Sequence, residues 1–147
     1  MIALLDVNVL VALAWPNHIF HESARKWFRA QRETGWATCP TTENGFIRVS
    51  SNSRVIPEAK SPREAALLLR NMIKLERHVF WPEESSVIDD RWISIDAIHT
   101  LRQVTDAHLL SLALRRQGRL ATFDRGILQL LPDENNKAIL LISSGIG

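Results

Sequence analysis

A chain of 147 residues with 46% hydrophobic and 23% charged positions has the make-up of one globular domain, long enough to bury a core unaided. Its single cysteine, Cys39, excludes an internal disulfide and a cysteine-based zinc site, and beside an apolar run it reads as packing. The net charge is +2, and no apolar run approaches the ~18 residues of a membrane span.

The first fifteen residues are apolar, but no basic residue precedes them and Asp6 and Asn8 interrupt them, so neither a signal peptide nor an anchor is expected, and a cytoplasmic location is. Residues 2–5 read as a short buried strand and 7–15 as a helix with Val7, Leu10, Val11 and Ala14 on one face. Residues 22–33 form an amphipathic pattern burying Ala24, Trp27 and Phe28; 36–39 read as a second strand and 42–51 as a helix turning Phe46 and Ile47 inward. Ser61-Pro62-Arg63-Glu64 combines an N-cap serine, a proline at the first helical position and a glutamate three after the cap, announcing a helix that buries Leu68, Leu69 and Met72. Residues 78–81 are a third strand and 92–100 a short helix. Thr105 is expected to cap a helix opened by Asp106 and stopped at Gly118, followed by strand 119–123, short helix 124–130 and strand 138–142. No repeat, linker or low-complexity tract divides residues 1–147, so one domain is expected. Strands alternating with helices predict a three-layer α/β/α fold around a mainly parallel, five-stranded sheet.

Four acids stand where apolar segments hand over to helical ones: Asp6, Glu43, Asp106 and Asp124. In an open parallel sheet these junctions share the carboxyl edge, where ligands bind. Each acid also suits a helix cap or first turn, which complements the helix dipole. Capping alone does not require a shared edge, and acids such as Glu33, Glu76, Asp133 and Glu134 fall in helix tails or loops, so the four are read as one site. Clustered carboxylates repel unless neutralised, and a hard divalent cation such as Mg²⁺ is the natural guest. Setting the four aside leaves eighteen cations against twelve anions, a basic body around an acidic cleft, which suits a polyanionic substrate.

The segments Leu-Leu-Asp-Val-Asn-Val-Leu, Thr-Thr-Glu-Asn-Gly-Phe-Ile-Arg-Val, Val-Thr-Asp-Ala-His-Leu-Leu-Ser-Leu-Ala and Leu-Ala-Thr-Phe-Asp-Arg-Gly, in this order from Asp6 to Asp124, resemble PIN-domain ribonucleases, in particular VapC toxins of toxin–antitoxin pairs. The resemblance implies a PIN-like fold and a metal-dependent endoribonuclease. It matches Asp6, Glu43, Asp106 and Asp124 to the family's metal-binding acids, Asn8 to a supporting polar position and Thr122 to a hydroxyl near the metals. It also implies Mg²⁺ (or Mn²⁺) as cofactor, an RNA substrate cut to 5′-phosphate and 3′-hydroxyl ends, a small antitoxin and a homodimer. Asp89, Asp90 and Asp96 lie in no matching motif and are assigned no role.

Other signals are weaker. His18 and His21 beside Glu22 lack a third ligand for zinc and read as surface or cap residues; His108 could face the cleft, and no role is assigned to it. Trp15, Phe20, Trp27 and Phe28 crowd the first two helices beyond what one buried face needs, which suggests an exposed aromatic surface for the antitoxin. Two alternatives compete with a nuclease. A haloacid-dehalogenase-like phosphatase would want a second acid where Asn8 stands, and a non-catalytic PIN-like binding module would have lost acids from the quartet.

Overall fold

The computed structural model describes residues 1–131 and 136–144; Asp133 and Glu134 lie outside the described residues. Five strands form one sheet in the order β3-β2-β1-β4-β5. They are β1 (Ala3–Leu5), β2 (Trp36–Thr38), β3 (His78–Phe80), β4 (Arg119–Thr122) and β5 (Ile139–Leu141). Every pairing is parallel, with Leu4 opposite Ala37 on one side and Leu120 on the other. The three central strands are almost wholly buried, as their continuous apolar runs require of a sheet covered on both faces.

The helices are α1 (Val7–Ala14), α2 (His21–Gln31), α3 (Pro40–Ser50), α4 (Pro62–Met72) and α5 (Leu101–Arg115). One layer gathers Val9, Leu10, Phe28, Phe46 and Leu69 from α1–α4 over Leu5 and Trp36. On the opposite face Leu109, Leu110 and Ala113 of α5 pack with Trp81 and Ile93 over Leu4 and Leu120. The layers are therefore α/β/α, as expected. Two close approaches require the absence of a side chain. A Cβ on Gly45 would stand 2.5 Å from a Val7 methyl, so α3 can cross α1 at that point only without a side chain. A Cβ on Gly118 would meet the Ile2 carbonyl and the Trp81 ring at 2.6 Å, and Gln117 before it takes φ 56 to turn the chain back into β4.

Two expectations about the second half fail. Residues 92–100 do not form a helix: only Ile95–Ala97 makes a single 3₁₀ turn behind the Ser94 cap. Of its large apolar side chains only Ile93 is buried, while Trp92 and Ile95 stay exposed, so no packed face offsets the cost of nucleating a helix. The following helix begins at Leu101 rather than at Asp106. Thr100 caps it by accepting from the Gln103 backbone N–H, and the Gln103 side chain returns to the Thr100 N–H at 3.2 Å. This Thr-x-x-Gln capping box competes with Thr105 and wins, because it satisfies two orphan donors instead of one. Asp106 is thereby carried into the second turn. Among the described residues no helix is long and apolar enough to cross a membrane.

Candidate metal and nuclease site

The connection order reverses beside β1: the chain runs outward through β2 and β3 on one side, then returns to β4 and β5 on the other. Such a switch point splays the loops at the carboxyl ends of the two neighbouring strands and opens a crevice between them. Asp6 follows β1 and caps α1, accepting from the Val7 N–H at 2.8 Å; Asp124 follows β4 and accepts from the Gly126 N–H at 2.9 Å. Both line a cleft of about 440 Å³ together with Asn8, Asp106, Arg48 and Arg102.

Thr122 organises the near wall. Its hydroxyl donates to Asp6 Oδ2 at 2.7 Å and accepts from Asn8 Nδ2 at 3.2 Å and from the Asp124 N–H at 3.0 Å. One donor and two acceptor sites exhaust a hydroxyl, so this buried side chain fixes three cleft residues at once. Asn8 closes the set by accepting from the Phe123 N–H at 3.4 Å.

The electrostatics are those of acids short of cations. Burial pushes the Asp6 carboxyl upward against the Thr122 and Val7 hydrogen bonds, and the charge of Asp124 adds to the rise. The Asp106 carboxyl is pushed up to about 6, first by burial and then by the charges of Asp6 and Asp124; Arg102 opposes this. Asp106 stands in the second turn of α5, so it is not a capping acid, and the Arg102 charge on its own helix does not outweigh the cost of burying it. Arg102, one turn earlier on α5, approaches Asp124 at 3.6 Å. Neither Arg102 nor Arg48 was singled out by sequence; for Arg102 the available signal was the i, i+4 spacing to Asp106.

Glu43 is not among the residues lining this cleft. It sits near the start of α3, and its carboxylate accepts from the Thr38 hydroxyl at 2.6 Å. With the proton of Thr38 given to Glu43, His78 donates to Thr38 through Nε2 at 2.8 Å. Burial lowers the His78 pKa and Glu43 pulls it back up. The structure thus joins Asp6, Asp106 and Asp124 and sets Glu43 beside β2. Among the described residues no three His, Cys, Asp or Glu side chains form a ready-made metal cage. The donor set still fits a hard cation: oxygen ligands only, and carboxylates whose mutual charge a cation would relieve.

The remaining candidates fall elsewhere. His108 faces Glu83, which also accepts from the Thr41 N–H at 2.6 Å and the Thr41 hydroxyl at 2.8 Å. Asp89 is held by Arg91 and Arg115, each at 2.6 Å. His18 lies on the cleft rim and His21 bonds the Ala12 carbonyl. Cys39 is buried and its thiol is pushed up to about 11 by burial, in keeping with packing. The aromatic group of the first two helices divides, which corrects the expectation of one exposed patch. Trp15 is 8% exposed and donates to Ser50 Oγ at 3.0 Å, and Phe28 is 8% exposed and edge-on to Trp36. These two rings fill the space between helices and sheet and cannot serve as surface anchors; Phe20 and Trp27 are half-buried.

The PIN domain family profile matches residues 3–130. Ribonuclease VapC38 of Mycobacterium tuberculosis is 46% identical over 141 residues, covering 96% of this chain and 98% of that protein. Ribonuclease VapC39 of the same organism is 46% identical over 127 residues, covering 86% and 91%. Among solved structures, VapBC2 from Rickettsia felis, bound to a DNA fragment from their promoter, aligns with a TM-score of 0.64 over 97% of this chain and 100% of that one; at 10% identity it speaks to the fold. The phosphatase alternative does not survive these matches. The chain belongs to the PIN-domain family, and within it to the VapC ribonucleases.

Proposed function

We propose that this protein is a VapC-type endoribonuclease, the toxin of a toxin–antitoxin pair, that it cuts RNA with the help of a divalent cation, Mg²⁺ foremost, and that it acts in the cytoplasm. One observation carries the chemistry: Asp6, Asp106 and Asp124 converge on one cleft, and the carboxyls of Asp6 and Asp106 are pushed up by burial and by neighbouring charge. Two names of relatives, VapC38 and VapC39, carry the word ribonuclease, which supports RNA as the substrate.

Asp6, Asp106 and Asp124 would hold the cation, with Glu43 as the fourth ligand on the strength of its motif. A bound divalent ion supplies charge neutralisation at the phosphoryl oxygens and a lowered pKa for an attacking water. The chain itself does the positioning. Thr122 and the Val7 N–H orient the two Asp6 oxygens, Gly126 and Thr122 hold the Asp124 loop, and Asn8 locks Thr122 to the Phe123 backbone. Arg48 and Arg102 offer positive charge to the RNA phosphates at the cleft mouth.

EDTA and the Asp6→Asn variant should each abolish cleavage of a mixed RNA substrate that the wild type cuts in Mg²⁺. Full activity in either arm refutes the metal site. Glu43→Gln tests the fourth ligand separately: wild-type kinetics at limiting Mg²⁺ would remove it from the set. Induction without a partner should arrest growth, and equal growth of wild-type and Asp6→Asn strains at equal protein levels would refute a toxin.

The antitoxin is proposed to seat an apolar segment in the groove of about 820 Å³ between α2 and β5, lined by Trp27, Lys26, Arg29 and Ile142. The Rickettsia felis VapBC2 neighbour supports a partner of this kind. Hydrogen exchange with and without the copurifying partner should protect residues 21–31; protection confined elsewhere would displace the site. A homodimer is proposed from the family alone, and sedentation of the free toxin as a monomer at micromolar concentration would refute it.

A further inference from the structure

Beyond the acidic cleft, the ends of β4 and β5 and the turn before α2 enclose a second hollow of about 410 Å³, walled by Phe20, Phe123, Arg125 and Leu141. Its volume falls within the ~300–1,000 Å³ typical of ligand pockets. Phe20 and Phe123 are stacked, with centroids 4.9 Å apart and planes 29° from parallel, and both rings are half-buried. The row continues inward: His18 tilts against Phe20 at 5.7 Å and itself lines the cleft. Phe123 is also fixed relative to the carboxylates. It stands between Thr122 and Asp124, and its N–H donates to the same Asn8 that binds Thr122.

We propose that this hollow is a nucleobase subsite, in which a base of single-stranded RNA next to the cut site stacks on the Phe20–Phe123 pair while Arg125 meets a backbone phosphate. The assignment rests on the ribonuclease reading and deepens it. Stacked aromatic rings beside a cation, leading away from a phosphate-handling cleft, are the elements with which proteins hold unpaired bases, because every base offers a π-face. A peptide partner is the less suitable occupant. Its apolar anchors have the larger groove beside Trp27, whereas the stacked pair of this hollow is linked through His18 to the cleft that must receive the RNA strand. Stacking also predicts the character of the preference: it favours an unpaired base at one position over a paired one and discriminates weakly among bases.

The test uses the full-length protein and a twelve-nucleotide single-stranded RNA carrying the fluorescent base 2-aminopurine at successive positions. In Mg²⁺, Phe20→Leu should raise KM about tenfold or more with little change in kcat, and Phe20→Trp should stay near wild type. In EDTA, on strands shown intact by gel, wild type should quench the fluorescent base at one position, Phe20→Leu should lose that quenching and Phe20→Trp should keep it. Arg125→Gln, at an exposed residue, should weaken binding and make the log–log salt dependence shallower by about one. Unchanged KM and quenching in Phe20→Leu overturn the subsite. If that variant melts early, an unchanged salt slope in Arg125→Gln overturns it instead. A Phe20→Leu protein that handles RNA normally but loses its copurifying antitoxin gives the hollow to the protein partner and also overturns it. If wild type cuts no RNA at all, the ribonuclease reading fails, and the quenching in EDTA still decides whether Phe20 stacks on a base.

Discussion

Two groups of buried or half-buried acids in this molecule face opposite electrostatic conditions. Around the cleft, Asp6 and Asp106 are pushed upward, because burial and neighbouring carboxylates outweigh the few hydrogen bonds they accept. At the outer end of the cluster, Asp124 accepts from the Gly126 N–H and has the exposed Arg102 beside it at 3.6 Å. On the other flank, Glu83 and Asp89 are held downward. Burial raises Glu83, but Thr41, through both its N–H and hydroxyl, and His108 more than reverse it; Arg91 and Arg115 hold Asp89 well below the usual carboxylate range. Glu83 thereby ties the start of α3 to α5, and Asp89 ties an irregular segment to the end of α5. The lesson is that burial of an acid does not by itself mark a site. What marks it is burial without counter-charge, since the chain bears an energetic cost there that only a ligand relieves.

That contrast can be broken at its strongest point first. Asp106→Asn removes a carboxylate that accepts no hydrogen bond from the described residues, so the fold should persist. Cleavage should fall more than the roughly 10–100-fold typical of residues that merely support a metal ligand. Rates in saturating Mg²⁺, with circular dichroism to confirm folding, measure it; a loss under tenfold would move Asp106 out of the reacting cluster. Thr122→Val comes next. It keeps the shape but frees Asp6, Asn8 and the Asp124 N–H from their shared hydroxyl, and activity should drop about 10–100-fold. An equal drop from Ser50→Ala, which frees the buried Trp15 indole N–H instead, would show that the effect is not particular to the cleft wall.

On the paired side, Glu83→Gln should destabilise the fold by about 1–3 kcal/mol, since it leaves His108 and Thr41 with a poorer acceptor. Urea unfolding measures this, and kcat/KM of the folded fraction should stay within about twofold of wild type. A tenfold loss of turnover with full stability would place Glu83 in the mechanism instead.

The smallest effect is one of pH. Folding raises the Asp106 pKa from 3.8 to about 6, so the ionised carboxylate opposes folding above about pH 6, and that penalty fades as pH falls toward 4. In EDTA, Asp106→Asn should therefore be more stable than wild type by about 1–2 kcal/mol at pH 7.5, with the gap roughly halved at pH 5 and closing toward pH 4. Burial lowers the pKa of His18 and His78, which costs stability as pH falls through about 6.5, but both proteins share that term and it cancels in the difference. Glu83 contributes with the opposite sign: its stabilisation is present above its unfolded pKa of 4.5 and is lost only below it. Parallel unfolding curves at all pH values would show that Asp106 is not strained by its neighbours.

How much could be read in advance depended on range. Strands 2–5, 36–39 and 119–123 were marked by short apolar runs bounded by turn residues, and Ser61-Pro62 with Glu64 marked the start of α4, because both signals are local. The Thr100–Gln103 box was equally local and was passed over for Thr105, which displaced the expected start of α5 from Leu101 to Asp106. Residues 92–100 were read as a helix, yet the layer opposite buries Ile93 and takes Ile98 only in part. The four acids were found by their positions at strand–helix junctions. Their neighbours Arg48 and Arg102 were not, although Arg48 stands in the Glu43 segment and Arg102 lies four before Asp106, since neither position shows by itself that the side chain reaches the cleft.

The sequence by itself determined the five strands, the α/β/α architecture and the acids at two strand ends, Asp6 and Asp124, because hydrophobic period, caps and junction residues act over a few positions along the chain. Only the tertiary structure decided which acids share a cleft and which aromatic rings face outward. Thr122 meets Asp6 across 116 positions, Glu83 meets His108 across 25, and Trp15 finds Ser50 across 35. These contacts fix charge balance and exposure, which are properties of neighbours in space, and no local pattern along a chain encodes who those neighbours will be.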